Sequence, residues 1–155
     1  MNITQILQPA CVRVPLKSKD KLSAITELVD LLDANHLLLD RNAALEAVLE
    51  REKARSTGIG SGIAIPHGKC NAVKELVMAV GIAPEAINFE SADGKPVKII
   101  LLLVSPINQT GPHLQALAKI SRLMLDEDFK KELERSNSAD AAFKLLCKKE
   151  TLMSF

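Results

Sequence analysis

Val97-Lys98-Ile99-Ile100-Leu101-Leu102-Leu103-Val104 is the most hydrophobic stretch of the chain, and its reading decides the fold. The unbroken aliphatic run from Ile99 to Val104 is six residues, far short of the roughly 18 needed to span a bilayer. It reads as a central strand buried on both faces. Working outward, Asp93-Gly94 marks a turn before it, with Phe89 upstream and Pro96-Val97 leading out. Residues 75–83 form a longer strand and residues 62–66 a short one. Residues 11–16 alternate and read as an edge strand, because Pro15 donates no hydrogen bond. Residues 18–35 place Leu22, Ile25, Leu28, Val29 and Leu32 at helical spacing, and Asp40 caps a second helix carrying Leu45, Val48 and Leu49. Beyond the central strand the chain is helical over 111–125, 126–135 and 138–149. Leu114, Leu117, Ile120, Leu123 and Met124 give the first of these a buried face. This order predicts one domain over residues 1–155, an α/β fold built as a three-layer α/β/α sandwich with a mixed central sheet.

Bulk composition narrows the function. A net charge of +1 offers no basic excess for nucleic acid, and the absence of Tyr and Trp removes base-stacking platforms. The three cysteines, Cys11, Cys70 and Cys147, are odd in number and make no CxxC pair, which argues for reduced thiols and against disulfides or a zinc site. Residues 1–16 contain Pro9, Arg13 and Pro15 and no apolar core of a signal peptide. A cytoplasmic protein with no direct membrane insertion is expected.

Pairing consecutive strands antiparallel makes 62–66 and 97–104 parallel, with their carboxyl ends at one edge of the sheet. Ligands of open α/β sheets gather at such an edge. His67 follows the first of these strands and His113 opens the helix after the other, so the two histidines can meet in space. His67 closes Ser56-Thr57-Gly58-Ile59-Gly60-Ser61-Gly62-Ile63-Ala64-Ile65-Pro66-His67-Gly68-Lys69, a flexible, backbone-rich loop in which Lys69 carries the one permanent charge. A P-loop needs a Lys after its last glycine, and a dinucleotide fingerprint needs a glycine where Ile63 stands; neither condition is met. Gly-x-Ser-x-Gly fails because Ile59 precedes Gly60-Ser61-Gly62, which leaves a hydrolase a weak alternative. Neither histidine has the set of additional His, Cys or carboxylate ligands at fixed spacing that a metal site wants, so no metal and no other cofactor is expected. An imidazole between Gly68 and an aliphatic run is partly desolvated, hence neutral near pH 7 and nucleophilic, and backbone N–H groups of the loop can cradle an anion. His113 shares the anion-attracting end of its helix, capped by Thr110 or Gly111, or is a surface histidine in a capping turn. His36 reads as favourable charge at a helix C-terminus.

These residues resemble the phosphohistidine signature of the mannitol/fructose-type IIA domains of the bacterial phosphoenolpyruvate-dependent phosphotransferase system. The resemblance extends to Arg51-Glu52, to Asp93-Gly94-Lys95-Pro96-Val97 and to His113-Leu114-Gln115-Ala116-Leu117, and covers nearly the whole chain. Ser61 stands where members of the nitrogen-related branch often carry Asn, while Lys69 is common in that branch. The resemblance implies a phosphotransferase component in which His67 accepts a phosphoryl group on Nε2 from a phosphorylated HPr-like carrier protein. It also implies that His113 hydrogen-bonds the phosphate or orients His67, and that Arg51 supplies positive charge. Two roles follow from it: regulation of target proteins by phosphorylation state, of the nitrogen or potassium type, or delivery of phosphate to a separate IIB protein during sugar uptake. The lack of fused IIB or membrane segments favours the first. A partner is expected to dock flat over Ile59, Ile63 and the histidine.

Overall fold

The computed structural model describes residues 2–153; residue 1 and residues 154–155, at the ends of the expected domain, lie outside the described residues. A short 3-10 turn at Ile3–Gln5 leads into β1 (Leu7–Arg13), followed by helices α1 (Lys21–Ala34) and α2 (Arg41–Ala54). Then come β2 (Gly58–Gly60), β3 (Ile63–Ala64), β4 (His67–Lys69), β5 (Val77–Ile87) and β6 (Val97–Ser105), and finally α3 (Thr110–Leu123), α4 (Glu127–Glu134) and α5 (Ala139–Met153).

The strands form one mixed sheet in the order β1-β5-β6-β3-β2, with β4 also paired to β6. β6 is its axis, antiparallel to β5 and parallel to β3 and β4. Residues 77–83 of β5 and 99–105 of β6 are buried without alternation, so both faces of the sheet are covered. α1 and α4 both pack on β5. Each fully buried aliphatic side chain in this layer stabilises the fold by about 1.5–3 kcal/mol relative to exposure. The three-layer α/β sandwich is therefore as expected, with the 97–104 run as its centre.

Several boundaries differ for local reasons. β1 starts at Leu7 rather than at residue 11. It tolerates Pro9 because it is an edge strand, and its register shifts between Leu7 and Val12. The strands at 62–66 and 75–83 do not pair with each other: β3 lies against β6, and the parallel relation to β6 is direct. α1 begins at Lys21, where Asp20 accepts a hydrogen bond from Ser23 N at 2.8 Å, and Leu22 is exposed instead of buried. Asp40 caps α2 as expected, accepting from Ala43 N at 3.1 Å. In α3 the buried stripe is His113, Ala116, Ile120 and Leu123, and Leu114 is 58% exposed, because the stripe is set by the inward-facing histidine. No helix among the described residues is long and apolar enough to cross a membrane.

Candidate functional site

The glycine stretch is a hairpin, not a mobile loop. β2 and β3 pair antiparallel, and the turn between them puts Gly60, Ser61 and Gly62 at φ of 95°, 57° and 83°. Glycine adopts these values without strain and serine does so less easily. Asp93 holds the turn by accepting from Ser61 N at 2.9 Å and Lys95 N at 3.0 Å. These bonds lower the Asp93 pKa, the one from Ser61 most. Gly58 N donates to Ser56 Oγ and Ile65 N to Thr57 O, so amides thought free to cradle an anion are already engaged. Ile63, expected on a docking surface, is buried in the core. Ser61 sits on the hairpin turn, bonded to Asp93.

Past the hairpin the chain stays in line with β6. Ile63 and Ala64 pair with Ile99 and Ile100, and His67, Gly68 and Lys69 pair with Leu103, Val104 and Ser105, in one continuous register. The break at Pro66 follows from its missing N–H, while its carbonyl still accepts from Leu103 N at 2.9 Å. His67 is thus the first residue of a strand rather than the residue after one. Gly68 lets α2 approach: a Cβ there would lie 2.9 Å from Val48 N and 3.0 Å from Ala47 C. That contact brings Arg51, one turn further along α2, to the cleft that holds His67.

His67 is partly buried. Its Nδ1 lies 2.7 Å from the Ile65 carbonyl, which can only accept, so Nδ1 carries the proton and Nε2 keeps a lone pair. Desolvation is the largest influence on this group and lowers its pKa. The Ile65 bond and Glu52 oppose that effect, while Arg51 and Lys69 reinforce it. The imidazole is neutral at pH 7.

His113 is brought beside it, with ring centroids 5.3 Å apart and ring planes inclined by 58°. It is no surface residue: only 3% of it is exposed. Its helix is capped at Gln109 with no side-chain bond, not at Thr110 or Gly111. Burial first, then the His67 and Lys69 charges, push its pKa down to about 4. Ser105 Oγ lies 2.6 Å from His113 Nδ1. Ser105 is fully buried, so its hydroxyl proton is left unpaired unless it is donated to Nδ1. That places the ring proton of His113 on Nε2.

Arg51 lines a cleft of about 450 Å³ with Arg55, Thr57, Ile59, His67 and Leu117. Its Nη1 donates to Arg55 O at 2.8 Å, closing the end of α2. On β4, Lys69 Nζ donates to the Thr110 hydroxyl at 3.2 Å and ties that strand to the start of α3. Arg51 and His67 therefore share the cleft, and His113 stands beside His67. His36 lies elsewhere, at φ 60° just past the end of α1, where its N–H donates to Asp33 O. Ser105 and Glu52 were not singled out for a role. Ser105 had a signal, as the polar residue ending an aliphatic strand. Glu52 had none beyond its place after Arg51. Among the described residues no group of three or more His, Cys, Asp or Glu is arranged to hold a metal ion.

The molecule is a mixed-sheet α/β domain that brings two imidazoles together at one sheet edge, with an arginine of α2 in the adjoining cleft. Residues 5–149 match the family described as phosphoenolpyruvate-dependent sugar phosphotransferase system, EIIA 2, and the chain belongs to that family. It is 36% identical over 146 residues to the fructose-specific EIIABC component of Bacillus subtilis, covering 94% of this chain and 23% of that protein. It is also 36% identical over 150 residues to a nitrogen regulatory protein of Bradyrhizobium diazoefficiens, covering 94% of this chain and 95% of that protein. Among solved structures it resembles nitrogen regulatory protein IIA-Ntr from Neisseria meningitidis, with a TM-score of 0.86 and 32% identity over 93% of this chain and 98% of that chain.

Proposed function

We propose that the protein is a histidine phosphocarrier that accepts a phosphoryl group on His67 Nε2 from a phosphorylated HPr-like protein. The observation that carries this reading is the Nδ1–Ile65 hydrogen bond, which leaves the Nε2 lone pair free in a partly desolvated cleft. In the transfer that lone pair forms a bond to phosphorus. The carrier's phosphorus–nitrogen bond breaks, and its electron pair returns to the carrier imidazole. Such a step is mostly positioning and charge stabilisation. Arg51 and the protonated Nε2 of His113 are the donors offered to the phosphoryl oxygens.

The protein then regulates target proteins through its phosphorylation state. Similarity to nitrogen regulatory proteins over nearly their full length supports this reading. A phosphoryl group adds close to two negative charges beside exposed Ile59, and a partner seated there must desolvate them or supply a cation. Leaving them unpaired costs several kcal/mol, which changes affinity by orders of magnitude. A second reading, delivery of phosphate to a separate IIB protein, is favoured by the similarity to the fructose-specific component.

The test is incubation with phosphoenolpyruvate, the general phosphotransferase enzyme and its HPr-like carrier. An acid-labile, base-stable adduct is expected that vanishes in His67→Ala and persists at reduced rate in His113→Ala. A label that survives the first substitution and disappears in the second overturns the assignment. Pull-downs with wild type, His67→Ala and His67→Glu separate the two roles. Identical partner sets from all three would remove the switch and leave the relay.

A further inference from the structure

Glu52 is a buried carboxylate that the transfer chemistry above does not use. It is 6% exposed, in the last turn of α2 beside Arg51. Its Oε1 accepts from Lys21 Nζ at 2.8 Å and from Thr57 N at 3.0 Å, and its Oε2 accepts from the Thr57 hydroxyl at 2.5 Å. Thr57 is itself 4% exposed. From there the contacts run to the active imidazole: Thr57 O accepts from Ile65 N at 3.0 Å, and Ile65 O accepts from His67 Nδ1 at 2.7 Å. Lys21 also donates to Phe89 O, which takes a second bond from Ser56 Oγ at 2.6 Å. Both sides of the turn between α2 and β2 are therefore anchored.

We propose that Glu52 is a positioning residue for His67: its carboxylate, paired with Lys21, clamps Thr57 so that the Ile65 carbonyl stays aimed at Nδ1. The proposal rests on the reading of His67 as phosphoryl acceptor. Stability alone does not account for such a pair, because a buried ion pair is often no more stabilising than apolar residues of the same volume. Loosening Thr57 releases the Ile65 peptide. The Nδ1 proton then loses its acceptor and the Nε2–H tautomer, which cannot attack phosphorus, becomes populated. Charge acts in the same direction. His67 is faced by Arg51 and Glu52 from α2, by Lys69 from its own strand and by His113 from α3. Glu52 is the anion of that set and supports the basicity of the ring.

The experiment uses the full chain with Glu52→Gln, Thr57→Val and Thr57→Ser. Nitrogen NMR of His67 in the unphosphorylated proteins reads tautomer and titration, and labelling by the phosphorylated carrier reads transfer across pH. In Glu52→Gln the Nε2–H tautomer should appear, His67 should titrate at lower pH than in wild type, and transfer at pH 7 should fall at least roughly tenfold. Thr57→Val should move tautomer and rate in the same direction, and Thr57→Ser should restore both. If Glu52→Gln does not fold, the two Thr57 variants decide. A folded Glu52→Gln with wild-type tautomer, titration and rate would overturn the proposal. So would a Thr57→Val indistinguishable from wild type, or a Thr57→Ser as impaired as the valine. Wild type that takes no label would instead remove the carrier reading, while the NMR comparison would still decide the clamp.

Discussion

The two neighbouring imidazoles stand side by side on unlike supports. His67 comes from strand β4, and its Nδ1 rests on a carbonyl, which only accepts. His113 comes from the first turn of α3, and its Nδ1 rests on a hydroxyl, which can give or take a proton. His67 is partly open to a cleft and His113 is almost fully enclosed. The contrast teaches how two copies of one side chain acquire different chemistry. A carbonyl partner holds the proton of one ring on Nδ1 and leaves the lone pair at Nε2. A hydroxyl donor fixes the neighbouring ring as a hydrogen-bond donor at Nε2, and burial keeps that ring neutral.

The strongest way to break this comparison is to alter the donor side. Arg51→Ala and His113→Asn each remove one donor that the proposed phosphoryl group would use. The transfer rate should fall by roughly ten- to a thousand-fold in each, with the fold retained by circular dichroism. The short amide of His113→Asn keeps a polar atom near the Nδ1 position for Ser105, whereas the longer amide of His113→Gln reaches toward the Nε2 position. The glutamine variant should therefore retain more transfer than the asparagine one. Equal rates in all three variants and wild type would mean that neither residue touches the transferred group.

Legibility in the sequence followed the same division between carbonyl and hydroxyl, backbone and side chain. The central strand was readable because an unbroken aliphatic run has few other places to go. Asp40 was readable because capping is local. His67, His113 and Arg51 were marked by motif; the nearness of the two histidines follows from two strands running parallel at one edge, while Arg51 is brought in by the packing of α2 at Gly68. What stayed hidden depends on long-range register. Whether β3 lies beside β5 or β6 is decided by which neighbour buries Ile63 and Ala64, and no local pattern reports that. The burial of His113 was missed because Leu114 and Leu117 suggested a helical face rotated by about one residue. The hairpin was missed because alternating glycines carry no hydrophobic period.

Stability against pH gives a second, smaller test of the contrast. The ordinary histidine pKa is 6.5, and His113 in the folded protein is held down at about 4. Between these values the unfolded chain binds a proton that the native protein refuses. Stability due to this group is thus complete above about pH 6.5 and is lost as pH falls toward about 4. His67 is lowered as well and adds to the slope with the same sign. Urea midpoints at pH 7 and pH 5 should drop more for wild type than for His113→Asn. Parallel drops would show that His113 takes up its proton in the native state, against the burial argument.

The smallest expected effect lies at Ser105. Its hydroxyl touches neither His67 nor any phosphoryl group; it acts by donating to His113 Nδ1. Ser105→Ala removes that donor at the end of β6 while leaving a side chain that fits a fully buried position. The Nδ1 atom then has no assigned partner, and His113 is free to place its proton on either nitrogen. One hydrogen bond contributes about 1 kcal/mol net, so the bias toward the Nε2–H form weakens by at most roughly fivefold. Transfer should fall by no more than that, while the tautomer of His67, held by Ile65, should not move. Nitrogen chemical shifts of both rings in Ser105→Ala check this directly. A shift confined to His113 supports separate supports for the two histidines. A change of tautomer at His67 would mean that the two rings share one proton network and that the distinction between carbonyl and hydroxyl is drawn in the wrong place.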